Sequence, residues 1–188
     1  MARVNGNALT QGLSGKISNL VFRQLGKDTV VSAVRKNRAR ELDSPEKEAH
    51  HTKFEQAIAY ARKQMSQPGA KALYATGIGG TRTNAYQVAV ADFMHAPRIT
   101  HVDLRAYTGQ PGQLIRIWVT DDFAVEAVAV RIEAADGALI EAGPAQALPG
   151  GHEWVFRTQS ACRALAGLTV AVRASDRPGN QTEEVYAL

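Results

Sequence analysis

The chain has 188 residues, 45% of them apolar and 21% charged, which is the composition of a folded globular chain and excludes a disordered or low-complexity one. No apolar run approaches the ~18 residues that cross a bilayer, and the first residues lack the apolar stretch of a secretory signal. Synthesis in the cytoplasm is therefore expected. With Cys162 as the single cysteine, an internal disulfide is excluded.

The formal charge of +4 is unevenly spread. Residues 1–96 hold fourteen Lys and Arg against seven Asp and Glu, and residues 97–188 hold eight against eleven. A sign reversal of this kind suggests an acidic partner for the first half, or attraction between copies of the chain. It also suggests a division into residues 1–96 and 97–188.

In chain order, two β-rich runs come first, Ile17 to Gln24 and Thr29 to Val34, joined by Leu25-Gly26-Lys27-Asp28. They predict a hairpin, with Gly26 free to take the positive φ of the turn. Such a hairpin is marginal alone in water and must find a partner surface. Ile17, Leu20, Phe22, Arg23 and Val30 are the candidate assembly contacts. The basic patch Arg35, Lys36, Arg38 and Arg40 follows.

Ser44, Pro45, Glu46 and Glu48 form a helix start. The spacing of Phe54, Ala57, Ile58, Ala61 and Met65 predicts one buried stripe, and Pro68-Gly69 a stop. A short helix is expected over Ala70 to Thr76. After Gly77-Ile78-Gly79-Gly80 comes a third helix, capped by Thr81 or Thr83, with Tyr86, Val90, Phe93 and Met94 on its apolar side. Pro97 ends the helical region.

From Ile99 onward the pattern becomes short β runs: Ile99 to Ala106, Leu114 to Thr120, Val125 to Glu133, Ala138 to Glu141, Glu153 to Thr158, Leu168 to Ala174 and Glu183 to Ala187. Seven such runs predict a seven-stranded antiparallel β-sandwich, and the whole an α+β chain with an N-terminal β-hairpin and a small helical region. Trp118 and Trp154 are the expected large core residues.

Thr120-Asp121-Asp122 before a Val-rich strand, Asp136-Gly137, Glu153-Trp154 and Asp176-Arg177-Pro178-Gly179-Asn180 together resemble bacterial Ig-like modules. The resemblance implies an Ig-like sandwich that serves as a spacer or binder. Gly15-Lys16-Ile17-Ser18-Asn19 with Val21 and Phe22 is similar to the opening of a group of bacterial proteins of uncharacterised activity. It implies placement within that group and no mechanism.

Chemistry-bearing motifs are sparse. His50-His51 lie one apart on a helix and so point to different sides, and His152-Glu153 lacks the second histidine of a zinc protease motif. The glycine loop before Arg82 lacks the Lys-Ser/Thr of a nucleotide loop and reads as a connection. No catalytic residue, cofactor or metal site is assigned, and a non-enzymatic role is expected. Whether Asp121, Asp122, Asp176 and Asn180 bind calcium stays open, because the same residues also hydrogen-bond their own turns.

The expected function is that of a structural or assembly protein, a homo-oligomer or larger assembly formed through the N-terminal region and carrying an Ig-like module. It fits a particle built in the cytoplasm, such as an exported or phage-like one. The alternative is nucleic-acid binding by the basic half, which would weaken steeply with salt. Membrane insertion is not expected.

Overall fold

The computed structural model describes residues 2–4, 12–25, 28–34, 44–162 and 165–188, of residues 2–4 the backbone. The chain is a mixed α and β protein whose strand pairs are antiparallel. It divides into two compact units, Met1–Glu46 and Lys47–Leu188. This division falls well before Pro97, so the helices from Lys47 onward and the later strands make one unit.

The first unit is a four-stranded sheet. Its strands β1 (Ala2–Val4), β2 (Gly15–Ile17), β3 (Leu20–Leu25) and β4 (Asp28–Ala33) lie in the order β1-β4-β3-β2. The run expected to be one strand from Ile17 to Gln24 is broken by a two-residue turn at Ser18-Asn19. Ile17 there pairs with Leu20, and Ser18 takes φ +54°. A tight hairpin turn demands such left-handed backbone, and periodicity alone does not reveal it. β3 and β4 pair from Leu20↔Ala33 to Leu25↔Asp28; Gly26 and Lys27 lie outside the described residues.

The second unit places three helices against two sheets. α1 (Pro45–Met65) buries Ala57 and Ala61, and leaves Phe54 of the expected stripe 43% exposed. Pro68-Gly69 opens α2 (Pro68–Ala75), since proline suits a first helical turn as well as it ends a preceding helix. α3 (Ala85–Met94) is capped by Asn84, not by Thr81 or Thr83. Asn84 Oδ1 accepts from Gln87 N at 2.9 Å, while Gln87 Oε1 accepts from Thr83 N at 2.7 Å. The first bond satisfies an amide that the helix start leaves free, and the second ties the residue before the cap to the same turn.

The inward face of α3 is Ala85, Val88, Ala89 and Asp92, whereas Tyr86, Val90, Phe93 and Met94 are half-buried. The two alanines let the helix approach closely, which an apolar stripe chosen by size does not anticipate. Tyr74, from α2, is fully buried there, and Phe123 stacks on it with ring centroids 4.7 Å apart.

Eight strands, rather than seven, form the two sheets. β5 (Arg98–Asp103), β6 (Leu114–Thr120), β10 (Glu153–Arg157) and β9 (Gln146–Ala147) lie in the order β5-β6-β10-β9. β12 (Gln181–Ala187), β11 (Thr169–Asp176), β7 (Val125–Glu133) and β8 (Leu139–Pro144) lie in the order β12-β11-β7-β8. The extra strand, β9, is two residues long and too short for an alternation signal.

The sheets share one core, in which Ile115, Ile117, Val119, Trp154 and Phe156 of one meet Val128, Val130, Ile132, Val170 and Val172 of the other. Trp118 alternates outward from Ile117 and Val119. It is half-buried beside His101 at 5.1 Å instead of filling the core.

Gly77 sits where Phe123 meets the helices: an added Cβ would lie 2.8 Å from the Phe123 ring and 2.9 Å from Val88 Cγ1. Gly77→Ala is therefore expected to lower stability by about 1–3 kcal/mol through overpacking. Denaturant midpoints measure this, and an unchanged midpoint would show that Phe123 is not held against this backbone.

Candidate functional site

The assembly contacts read from the sequence divide between the two faces of the first sheet. Directly paired residues share a face, so the pairs Ile17↔Leu20 and Phe22↔Val31 set Ile17, Leu20 and Phe22 on one side. Arg23↔Val30 lies on the other. Ile17 is 55% and Leu20 38% exposed, Phe22 is half-buried, and Arg23 is exposed; Val30 is buried and so withdrawn from any outside contact. Arg35, Lys36, Arg38 and Arg40 lie outside the described residues.

In the second unit the four calcium candidates separate by role. Asp122 is an ion-pairing residue: Arg82 Nη2 lies 2.7 Å and His95 Nδ1 2.6 Å from its Oδ2, and Arg82 also donates to its carbonyl oxygen. The glycine loop serves this contact, because Gly79 and Arg82 exchange backbone hydrogen bonds of 3.1 and 3.0 Å in a turn that presents Arg82.

Asn180 ties two elements together. Its Nδ2 donates to Asp176 Oδ2 at 2.7 Å and lies 3.2–3.3 Å from the carbonyl oxygens of Asp92, Phe93 and His95 at the end of α3. Asp176 in turn folds the β11–β12 turn, its Oδ1 accepting from Gly179 N and Asn180 N at 2.9 and 2.6 Å.

Asp121 and Asp176 do converge, and with a third carboxylate that the sequence reading missed. Asp92, Asp121 and Asp176 each bring an oxygen within 4.8 Å of the other two. Asp92 is completely buried and Asp176 is 3% exposed. Tyr74 donates to Asp92 Oδ2 at 2.6 Å and itself bonds Tyr60 at 2.8 Å. Asp92 Oδ1 and Asp121 Oδ1 are buried without a hydrogen-bond partner.

A cleft of about 590 Å³, lined by Met94, His95, Arg98, Thr120, Asp121 and Asp122, opens beside the trio. The hydroxyl chain is shaped by the same burial: desolvation raises the Tyr60 and Tyr74 phenols above their ordinary range, so both stay protonated donors.

Burial, followed by the neighbouring charges of Asp121 and Asp176, pushes the Asp92 carboxyl up to about 7 against the opposing Tyr74 bond, and burial raises Asp176 as well. The sign follows by linkage. A carboxyl with a raised folded-state value binds its proton more tightly when folded, so the stability it gives is present at low pH. That stability is lost as pH rises from the ordinary carboxylate range through about 7.

In chelator-treated buffer at one fixed ionic strength, Tm is expected to fall from about pH 5 to about pH 8, and Asp92→Asn to flatten that fall. A wild-type Tm that rises across this window would contradict the electrostatic account of the trio.

Fold and site together define a mixed α and β chain in which helices and paired antiparallel sheets enclose a three-carboxylate cluster. Among the described residues, no helix is long and apolar enough to cross a membrane. No family model and no curated protein matches the chain. Among solved structures it is similar to the crystal structure of CopC from Methylosinus trichosporium OB3b, at 18% identity over 49% of this chain and 89% of that one, with a TM-score of 0.38.

Proposed function

We propose that the protein is a non-enzymatic structural component that self-associates through its N-terminal sheet and carries an Ig-like sandwich in its second unit. One observation carries the reading: a four-stranded sheet has two faces to cover, and Val30 is the one apolar side chain buried among the described residues of its unit. Ile17, Leu20 and Leu25 are instead 55, 38 and 61% exposed.

Exposed apolar side chains next to an unpaired edge invite another chain. Among the described residues the edge strand β2 pairs only with β3, and it is exposed along its length. A second copy fits best, because it supplies the same edge and the same apolar face, as an isologous contact requires.

The double variant Ile17→Lys, Leu20→Lys tests this in the full chain. Light scattering is expected to report an oligomer for the unaltered protein and a single copy for the variant, with the second unit's circular dichroism unchanged. Equal masses for the two would refute the reading.

The charge distribution favours a second reading. Residues 1–46 hold eight Lys and Arg against four Asp and Glu, and residues 47–188 hold fourteen of each, so the whole +4 belongs to the first unit. A nucleic-acid contact there would bind through phosphates and fade with salt. Mobility shifts across a salt series separate it from self-association.

A further inference from the structure

We infer that Asp92, Asp121 and Asp176 form a binding site for a hard divalent cation of the calcium type. The inference is independent of self-association, since all three residues belong to the second unit.

Geometry is the first support. A calcium ion takes oxygens at about 2.4 Å, so two ligands of one ion stand at most about 4.8 Å apart. Each of these carboxylates offers an oxygen within 4.8 Å of the others. They arrive from three separate places, the last turn of α3, the residue that follows β6 and the end of β11. A single ion would therefore fasten the helices to both sheets.

The second support is the set of oxygens left over. Asp92 is 0% exposed, yet its Oδ1 has no hydrogen-bond partner, and Asp121 Oδ1 is likewise buried and unpartnered. Buried acceptors are nearly always satisfied, and here two of them belong to neighbouring carboxylates. One shared proton would serve that pair but leave the carboxylates of Asp92, Asp121 and Asp176 crowded, with only neutral groups among the described residues hydrogen-bonded to them.

Charge is the third support. Asp122 has the Arg82 guanidinium as its cationic partner and a hydrogen bond to His95 Nδ1 besides. The donors to the trio are neutral: the Tyr74 hydroxyl, the backbone amides of Phe123, Gly179 and Asn180, and the Asn180 side chain. The negative end of the α3 dipole adds to the field around Asp92. Because the ligand atoms that the trio offers are all carboxylate oxygens, with no His or Cys among them, a hard cation fits and a thiophilic one does not. The cleft along Asp121 gives water and the ion a way in and room for the remaining ligands.

The test uses the full chain, stripped with chelator and held at one neutral pH. Calcium at about 100-fold excess over its dissociation constant is expected to raise Tm by about 5 °C or more, and calorimetry should show one site. Asp121→Asn should abolish the rise, and Asp122→Asn, one residue away, should keep it. Magnesium and manganese arms rank the cation by size.

Terbium emission excited through tyrosine gives a readout that needs no variant, since Tyr74 bonds directly to Asp92; excess calcium should quench it by displacement. Absence of both a Tm rise and terbium emission in the unaltered protein would overturn the site. An equal Tm rise in Asp121→Asn would overturn it too.

Discussion

Asn180→Asp is expected to destabilise the protein more than Asn180→Ala, although aspartate has nearly the same shape as asparagine. The Asn180 amide reaches back to the carbonyl oxygens of Asp92, Phe93 and His95 and to Asp176 Oδ2. These carbonyls close α3, where a helix leaves its last acceptors without internal partners, so a side chain from the β11–β12 turn serves as the cap. Alanine removes the donor and strands the acceptors, at a cost of about 2–3 kcal/mol. Aspartate does the same, sets a further lone pair against each acceptor and adds a fourth negative charge beside Asp92 and Asp176, which brings the loss to about 3–5 kcal/mol. Denaturant midpoints of the two variants decide the order. Aspartate as well tolerated as asparagine would mean that the amide is not what holds the turn to the helix.

Tyr74→Phe carries the second large effect. The ring is completely buried against Phe123, so phenylalanine keeps the packing and loses the hydroxyl alone. That hydroxyl is the donor to Asp92 Oδ2 at 2.6 Å, and Asp92 Oδ1 has no partner to compensate. Removing the donor leaves Asp92 Oδ2 buried without its hydrogen bond, which is expected to cost about 2–4 kcal/mol. Tyr60→Phe is the control. It deletes only the neutral bond between the hydroxyls of Tyr60 and Tyr74 at 2.8 Å, on a half-buried ring, and should cost about 1 kcal/mol or less. Comparable losses from the two variants would remove Asp92 from its place at the end of the hydroxyl chain.

Much of the second unit's secondary structure can be read in the residues, because long amphipathic runs speak for themselves. Alternation in Leu114–Thr120 and Val125–Glu133 marks the spans that β6 and β7 occupy, since each has one face in a shared core. Short features escape that reasoning. The Ser18-Asn19 turn, the two-residue β9 and the cap at Asn84 depend on local backbone geometry and hydrogen bonds, which no periodicity encodes.

The carboxylate trio lies between these cases. Asp92 follows Ala85, Val88 and Ala89 at helical spacing, Asp121 follows Ile115, Ile117 and Val119 by two, and Asp176 follows Val172 and Ala174 by two. All three stand where the pattern calls for an apolar residue, so each was visible singly as a polar residue in core phase. Their convergence was not visible, because it depends on how α3 lies across the ends of β6 and β11. The charge boundary drawn at Pro97 differs from the division into compact units at Glu46 and Lys47 for a related reason. It separated the basic helices from the acidic strands, although Asn180 and Asp122 tie the two together by hydrogen bonds to Phe93 and His95.

The self-association account turns on whether the exposed face at Ile17 and Leu20 is covered by another copy of the chain. Sedimentation velocity of the unaltered protein over a wide concentration range measures this most directly. The account predicts a mass that is a multiple of 20.3 kDa and that falls toward one copy only on dilution. A single 20.3 kDa species at every concentration would contradict it.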